Sequence, residues 1–86
     1  MQVSVYDTYV TRTDGALMHF DILVPTTLTD QATIHQYGQD YLATKGQGGQ
    51  PLTTKECHFC HIEQATDAVA SSIRRNGFSI IEMQGC

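Results

Sequence analysis

The sequence predicts an α+β fold: a two-layer arrangement of a four-stranded mixed sheet and two helices, in the order ββαβαβ. Three observations carry that expectation. Alternating apolar residues flank Thr13-Asp14-Gly15, two later stretches show helix-capping residues at both ends, and extended runs lie on either side of the second of those stretches. At 86 residues the chain is expected to be one domain spanning residues 1–86.

Residues 2–10 and 16–24 read as paired strands around an Asp-Gly turn, the strongest short hairpin signal. Taken as a two-residue loop, Asp14-Gly15 sets Tyr9 opposite Phe20, Asp7 opposite Ile22 and Val5 opposite Val24. That register gathers Val3, Val5, Asp7, Tyr9, Met18, Phe20, Ile22 and Val24 on a core face. It leaves Tyr6, Thr8, Val10, His19, Asp21 and Leu23 on the other. Pro25 stops the second strand. Thr29 or Asp30 caps a helix whose apolar face is Ile34, Tyr37, Gly38, Tyr41 and Leu42, and Lys45-Gly46 closes it. Residues 46–52 form a connector. Its glycines follow a helix and lack the Lys-Ser/Thr ending of a phosphate loop.

The segment 53–64 alternates as a strand, with Cys57, Phe59 and His61 on one side and His58, Cys60 and Ile62 on the other. Thr53 and Glu56 could instead form a capping box and start a helix. Thr66 or Asp67 opens the second helix, Ala65, Val69 and Ile73 share its apolar face, Arg74 and Arg75 sit near its end, and Gly77 closes it. Residues 78–83 read as the last strand. A right-handed crossover would lay it parallel to the segment before the helix, with both helices on one face of the sheet.

Composition excludes several functions. The net charge is -4, and the five basic residues, Arg12, Lys45, Lys55, Arg74 and Arg75, form no long patch. Duplex binding needs clustered cations to release counterions, so nucleic acid is not an expected partner. No apolar run approaches the roughly 20 residues of a membrane span. The opening Met-Gln-Val-Ser-Val-Tyr-Asp has neither a basic start nor an apolar signal core. A soluble cytoplasmic protein with mostly reduced cysteines is expected.

The densest chemistry lies in Cys57-His58-Phe59-Cys60-His61. Thiolates and imidazoles at this spacing suit zinc, which takes about four such ligands. With the last two strands parallel, Cys86 would approach Cys60, His61 and Glu63, so Cys57, Cys60, His61 and Cys86 form the candidate metal set. A catalytic version would need an open coordination position and a base such as His58 or Glu63. Strand alternation works against it by sending Cys57 and Cys60 to opposite sides. Thiol redox chemistry is a further alternative. It needs the Cys-x-x-Cys pair at a helix N-terminus after a strand, which the late position does not offer. The string also matches a haem-attachment motif, without the export that chemistry requires. On the hairpin, His19 and Asp21 share a face, where a carboxylate could orient an imidazole. Asp7 falls on the core face, where it needs hydrogen-bonding partners or a raised pKa; it could also face the Cys/His cluster as a further ligand.

Four segments combine into a resemblance: Val-Tyr-Asp-Thr-Tyr-Val at 5–10, Met-His-Phe-Asp at 18–21, Glu-Cys-His-Phe-Cys-His at 56–61 and Ile-Ile-Glu-Met-Gln-Gly-Cys at 80–86. Over nearly its whole length the chain resembles a family of small bacterial proteins, domain-of-unknown-function family twenty twenty-four. The resemblance implies a small α+β fold and a soluble bacterial protein. It brings no activity, ligand or catalytic residue to carry over. The expectation from sequence is therefore a non-catalytic binding or interaction module, with zinc binding on the 57–61 segment as the alternative. An open edge strand leaves room for a homodimer or a protein partner.

Overall fold

Gly15 sets the geometry of the first hairpin. The computed structural model describes residues 1–86, with β1 over Gln2–Thr11 and β2 over Leu17–Pro25. Gly15 adopts φ 87°, its N–H bonds the Arg12 carbonyl at 3.0 Å, and the Arg12 N–H bonds the Ala16 carbonyl at 2.7 Å. These bonds close a loop of three residues, Thr13 to Gly15, the form that pairs a turn with a left-handed glycine. The extra loop residue shifts the register by one from the two-residue expectation. Tyr9 now faces His19, Asp7 faces Asp21 and Val5 faces Leu23.

Side chains alternate with period two, so that shift turns every β2 residue to the other face relative to β1. One face carries Tyr6, Thr8, Val10, Met18, Phe20, Ile22 and Val24. The other carries Val3, Val5, Asp7, Tyr9, His19, Asp21 and Leu23. Asp7 is therefore not on the face of Phe20 and Ile22; it lies beside His19 and Asp21.

The rest of the sheet is built from β3 (Cys57–Gln64) and β4 (Ser79–Gln84), and the strand order is β3-β1-β2-β4. All three pairings are antiparallel, so the sheet is not mixed. The expected parallel pairing of the last two strands does not form. The connection from β2 to β3 passes over β1, and that from β3 to β4 passes over both hairpin strands, so β3 and β4 end on opposite edges.

The helices are α1 (Gln31–Thr44) and α2 (Asp67–Asn76). The Asp30 side chain caps α1 by accepting from the Thr33 N–H, and Thr66 caps α2 by accepting from the Val69 N–H. Gly77, at φ 87°, ends α2. The two helices pack on opposite faces of the sheet, which corrects the two-layer expectation. Ile34, Tyr41 and Leu42 of α1 join Val10, Met18, Phe20, Ile22 and Val24 in the larger core, with Leu52 and Cys57. Val69 and Ile73 of α2 join Val3, Val5 and Leu23 in a smaller core on the reverse face. A polar clamp adds to the first: the Tyr41 hydroxyl donates to Glu82 at 2.5 Å, and Lys45 meets the same carboxylate at 2.7 Å.

Thr53 and Glu56 make half of a capping box: the Thr53 N–H and hydroxyl both donate to Glu56 Oε1 at 2.8 Å, while Thr53 Oγ1 accepts from the Lys55 N–H at 3.1 Å. The turn they cap stops at once, and the chain enters β3 at Cys57.

Two stability outcomes follow from this packing. Phe20→Ala empties a fully buried site in the larger core and is expected to cost about 3–5 kcal/mol in urea denaturation. Gly15→Val forces a β-branched residue to positive φ and is expected to cost at least about 1 kcal/mol, with Gly15→Asn milder because Asn tolerates that region.

Candidate functional site

The β1–β2 register assembles a group of side chains that lie apart in sequence. Asp7 on β1 and Asp21 on β2 are direct cross-strand partners, and His19 lies two residues before Asp21 on the same face. The His19 Nε2 meets Asp7 Oδ1 at 2.5 Å. One donor atom from each of Asp7, His19 and Asp21 falls within 4.8 Å of the others. The His19 ring also stacks on its cross-strand neighbour Tyr9, centroid to centroid 4.1 Å and 12° from parallel. A carboxylate on one side and an aromatic face on the other fix the orientation of the imidazole.

The three residues sit on a shelf where α2 runs out. Val69 and Ile73 cover the Val3, Val5 and Leu23 end of this face, while Tyr9 beyond them is 40% exposed. Asp21 is buried, and Asp7 and His19 are half-buried. Burial pushes the Asp21 carboxyl above the usual range, and the Asp7 carboxylate beside it pushes the same way. His19 and His61 pull it back in part.

β3 extends the shelf. His58 is the cross-strand partner of Asp7, and His61 that of Val5, both on the shelf face. Between them the register slips by one residue, a β-bulge that adds Cys60 to the strand. The bulge cancels the usual alternation, so Cys60 and His61 stand side by side, with Cys60 Sγ 3.1 Å from His61 Nδ1. The other ring nitrogen of His61 meets Glu63 Oε1 at 2.7 Å.

The four residues expected to hold zinc part company in this fold. Cys57 points into the larger core, where burial raises its thiol pKa and keeps it protonated. Cys60 and His61 are exposed on one edge of the sheet. Cys86 follows β4 on the other edge, with its thiol near the carbonyls of His19 and Gln84. Only Cys60 and His61 come together. The parallel pairing that would have carried Cys86 to them is replaced by an antiparallel sheet in which two strands lie between. All three cysteines are free thiols, and the Cys-x-x-Cys pair lies on a strand, not at a helix start.

A surface cleft of about 440 Å³ is lined by Asp40, Tyr41, Thr44, Asn76 and Phe78 and brings no His or Cys. No helix is long and apolar enough to cross a membrane.

Comparisons with known proteins agree on the fold. Residues 1–83 match the family described as "Domain of unknown function (DUF2024)". The NMR structure of protein NE1680 from Nitrosomonas europaea is 41% identical and superposes with a TM-score of 0.86, covering 100% of this chain and 99% of that one. No curated protein matches the chain.

The raised Asp21 carboxyl has a stability consequence whose sign is fixed. The native state holds this proton more tightly than the unfolded chain, whose Asp pKa is about 3.9. The stability it contributes is complete below that value and is lost as pH rises through the raised native value. Asp21→Asn is therefore expected to melt at a higher temperature than the parent near neutral pH, with the gap closing toward about pH 4. Melting curves followed by circular dichroism across that range check this. A gap independent of pH would contradict it.

Proposed function

This chain belongs to the DUF2024 family. From the geometry of the shelf we propose that it is a small binding protein that takes a divalent first-row metal ion through Asp7, His19 and Asp21. We place it in the bacterial cytoplasm, where its three free thiols stay reduced. One observation carries the reading: two carboxylates are set directly opposite one another across β1 and β2, with an imidazole nitrogen against them, and their donor atoms fall within 4.8 Å of each other. Like charges directly opposed on a sheet destabilise it. A proton or a cation between them relieves that repulsion, and at neutral pH a cation competes well with the proton.

The donor set is one nitrogen and two carboxylate oxygens, which suits zinc or manganese better than a soft, thiolate-seeking ion. Water completes the shell around these three side chains. The reading moves the expected cation from the Cys57–His61 run to the hairpin. It also favours binding over catalysis: no hydroxyl or thiol side chain hydrogen-bonds to the His19 ring.

Calorimetric titration of untagged protein with zinc, and separately with manganese, tests it. One ion per chain is expected. Asp7→Asn and His19→Ala should each weaken binding by at least about tenfold, while Cys60→Ser leaves it unchanged. Affinity should fall as pH drops toward the raised Asp21 pKa, because metal and proton compete for the same oxygen. No uptake of either ion, or uptake that Cys60→Ser abolishes and Asp7→Asn does not, would overturn the assignment.

A further inference from the structure

The outer edge of β3 is built to pair with itself. Its inner side bonds β1 along its length, while its outer side faces no strand. Every residue after Cys57 is exposed, including Phe59 at 55% and Ile62 at 52%. The strand carries neither Lys nor Pro, the residues that usually guard an open edge. The opposite edge, β4, is shorter, and Arg12 reaches across to bond the Gly85 carbonyl just past its end.

We infer that β3 is a homodimerisation edge, on which a second copy of this chain pairs antiparallel about a two-fold axis between Cys60 and His61. The axis stands normal to the sheet, so it keeps each face on its own side, and opposed residues must share a face. The register on β1 shows which do: Cys57, Phe59 and Ile62 lie on the α1 side, and His58, His61 and Glu63 on the α2 side. Because the bulge shifts the alternation, full overlap of the two strands satisfies that rule on both sides of the axis. Without the bulge the same overlap would set every residue against one from the wrong face.

This overlap is also chemically matched. Phe59 of each copy meets Ile62 of the other, an aromatic–aliphatic pair of the kind that stabilises neighbouring strands. Tyr6, edge-on to Phe59 at 5.7 Å, backs that contact. His58 of each copy meets Glu63 of the other, where an imidazole can donate to the carboxylate oxygen that His61 leaves free. Slipping the pair by two residues would set His58 against His61 and leave Glu63 without a partner. Charge and apolar matching thus select one register.

An eight-stranded sheet results, with like faces continuous. One strand pair buries an area at the low end of specific interfaces, so a weak, concentration-dependent dimer is expected. It does not depend on the cation reading.

Sedimentation velocity on the full chain, from roughly micromolar to roughly millimolar, tests it. A monomer–dimer equilibrium unchanged by chelator is expected. Phe59→Lys with Ile62→Lys should raise the dissociation constant by at least about tenfold while circular dichroism shows the fold intact, since both side chains are exposed. Isotope-filtered NMR on a mixed labelled sample fixes the register, with contacts expected between the Phe59 ring and Ile62 methyls of different copies. A monomer across the whole range, a dimer indifferent to the double substitution, or a dimer without that contact would overturn the inference.

Discussion

The positive φ of Gly15 is the constraint on which the other features depend. A side chain with a Cβ resists that conformation, and glycine does not. With Gly15 there, the loop takes three residues, and the pairing Tyr9–His19, Asp7–Asp21, Val5–Leu23 follows. Had the loop taken two, every β2 side chain would face the other way relative to β1. The β1–β2 face under α1 would then have lost either Val10 or Phe20, both fully buried there now. Hydrophobic burial and turn chemistry favour the same register, which is why one residue of loop length is decisive.

The shelf exists because α2 is short. Ten helical residues rise about 15 Å, whereas the ten residues of β1 run about 33 Å. A helix of that length covers only part of the strand beneath it. It buries Val3, Val5 and Leu23 and leaves the Asp7, Tyr9, His19 end open. On the reverse face α1 has 14 residues, and the loop residue Leu52 adds to the cover, so that core is the larger. The unequal helices give the sheet one well-covered face and one half-covered face, and the polar residues collect on the uncovered half.

The elements themselves were legible in the sequence, because their signals are local. Asp30 and Thr66 cap as their side chains allow, Gly77 stops α2 with a left-handed residue, and Pro25 ends β2. What the sequence left hidden is non-local or turns on a single residue. The Thr13-Asp14-Gly15 triplet fits a loop of two or three residues equally well, so Asp7 could not be placed beside His19 and Asp21, although each stood out alone. The strand order depends on where two crossovers land, and no local pattern encodes that. The β3 bulge is invisible to alternation. Alternation puts Cys60 and His61 on opposite sides, whereas the bulge sets them 3.1 Å apart.

The same bulge explains why the richest motif of the sequence is not the richest site of the structure. Cys57 pairs with Thr8 before the bulge and points into the core as a small hydrophobe. Cys60 and His61 lie in the bulge and point away from it. A run of five residues is thereby split between an inside role and an edge role, and its spacing describes neither. The Asp7–Asp21 pair shows the converse. Two like charges placed opposite each other with one of them buried weaken a fold this small, in which total stability is only about 5–10 kcal/mol. An Asn at either position would relieve the repulsion at little cost in volume. The His19 imidazole against Asp7 offsets part of that repulsion, and on the proposed reading a bound cation offsets the rest.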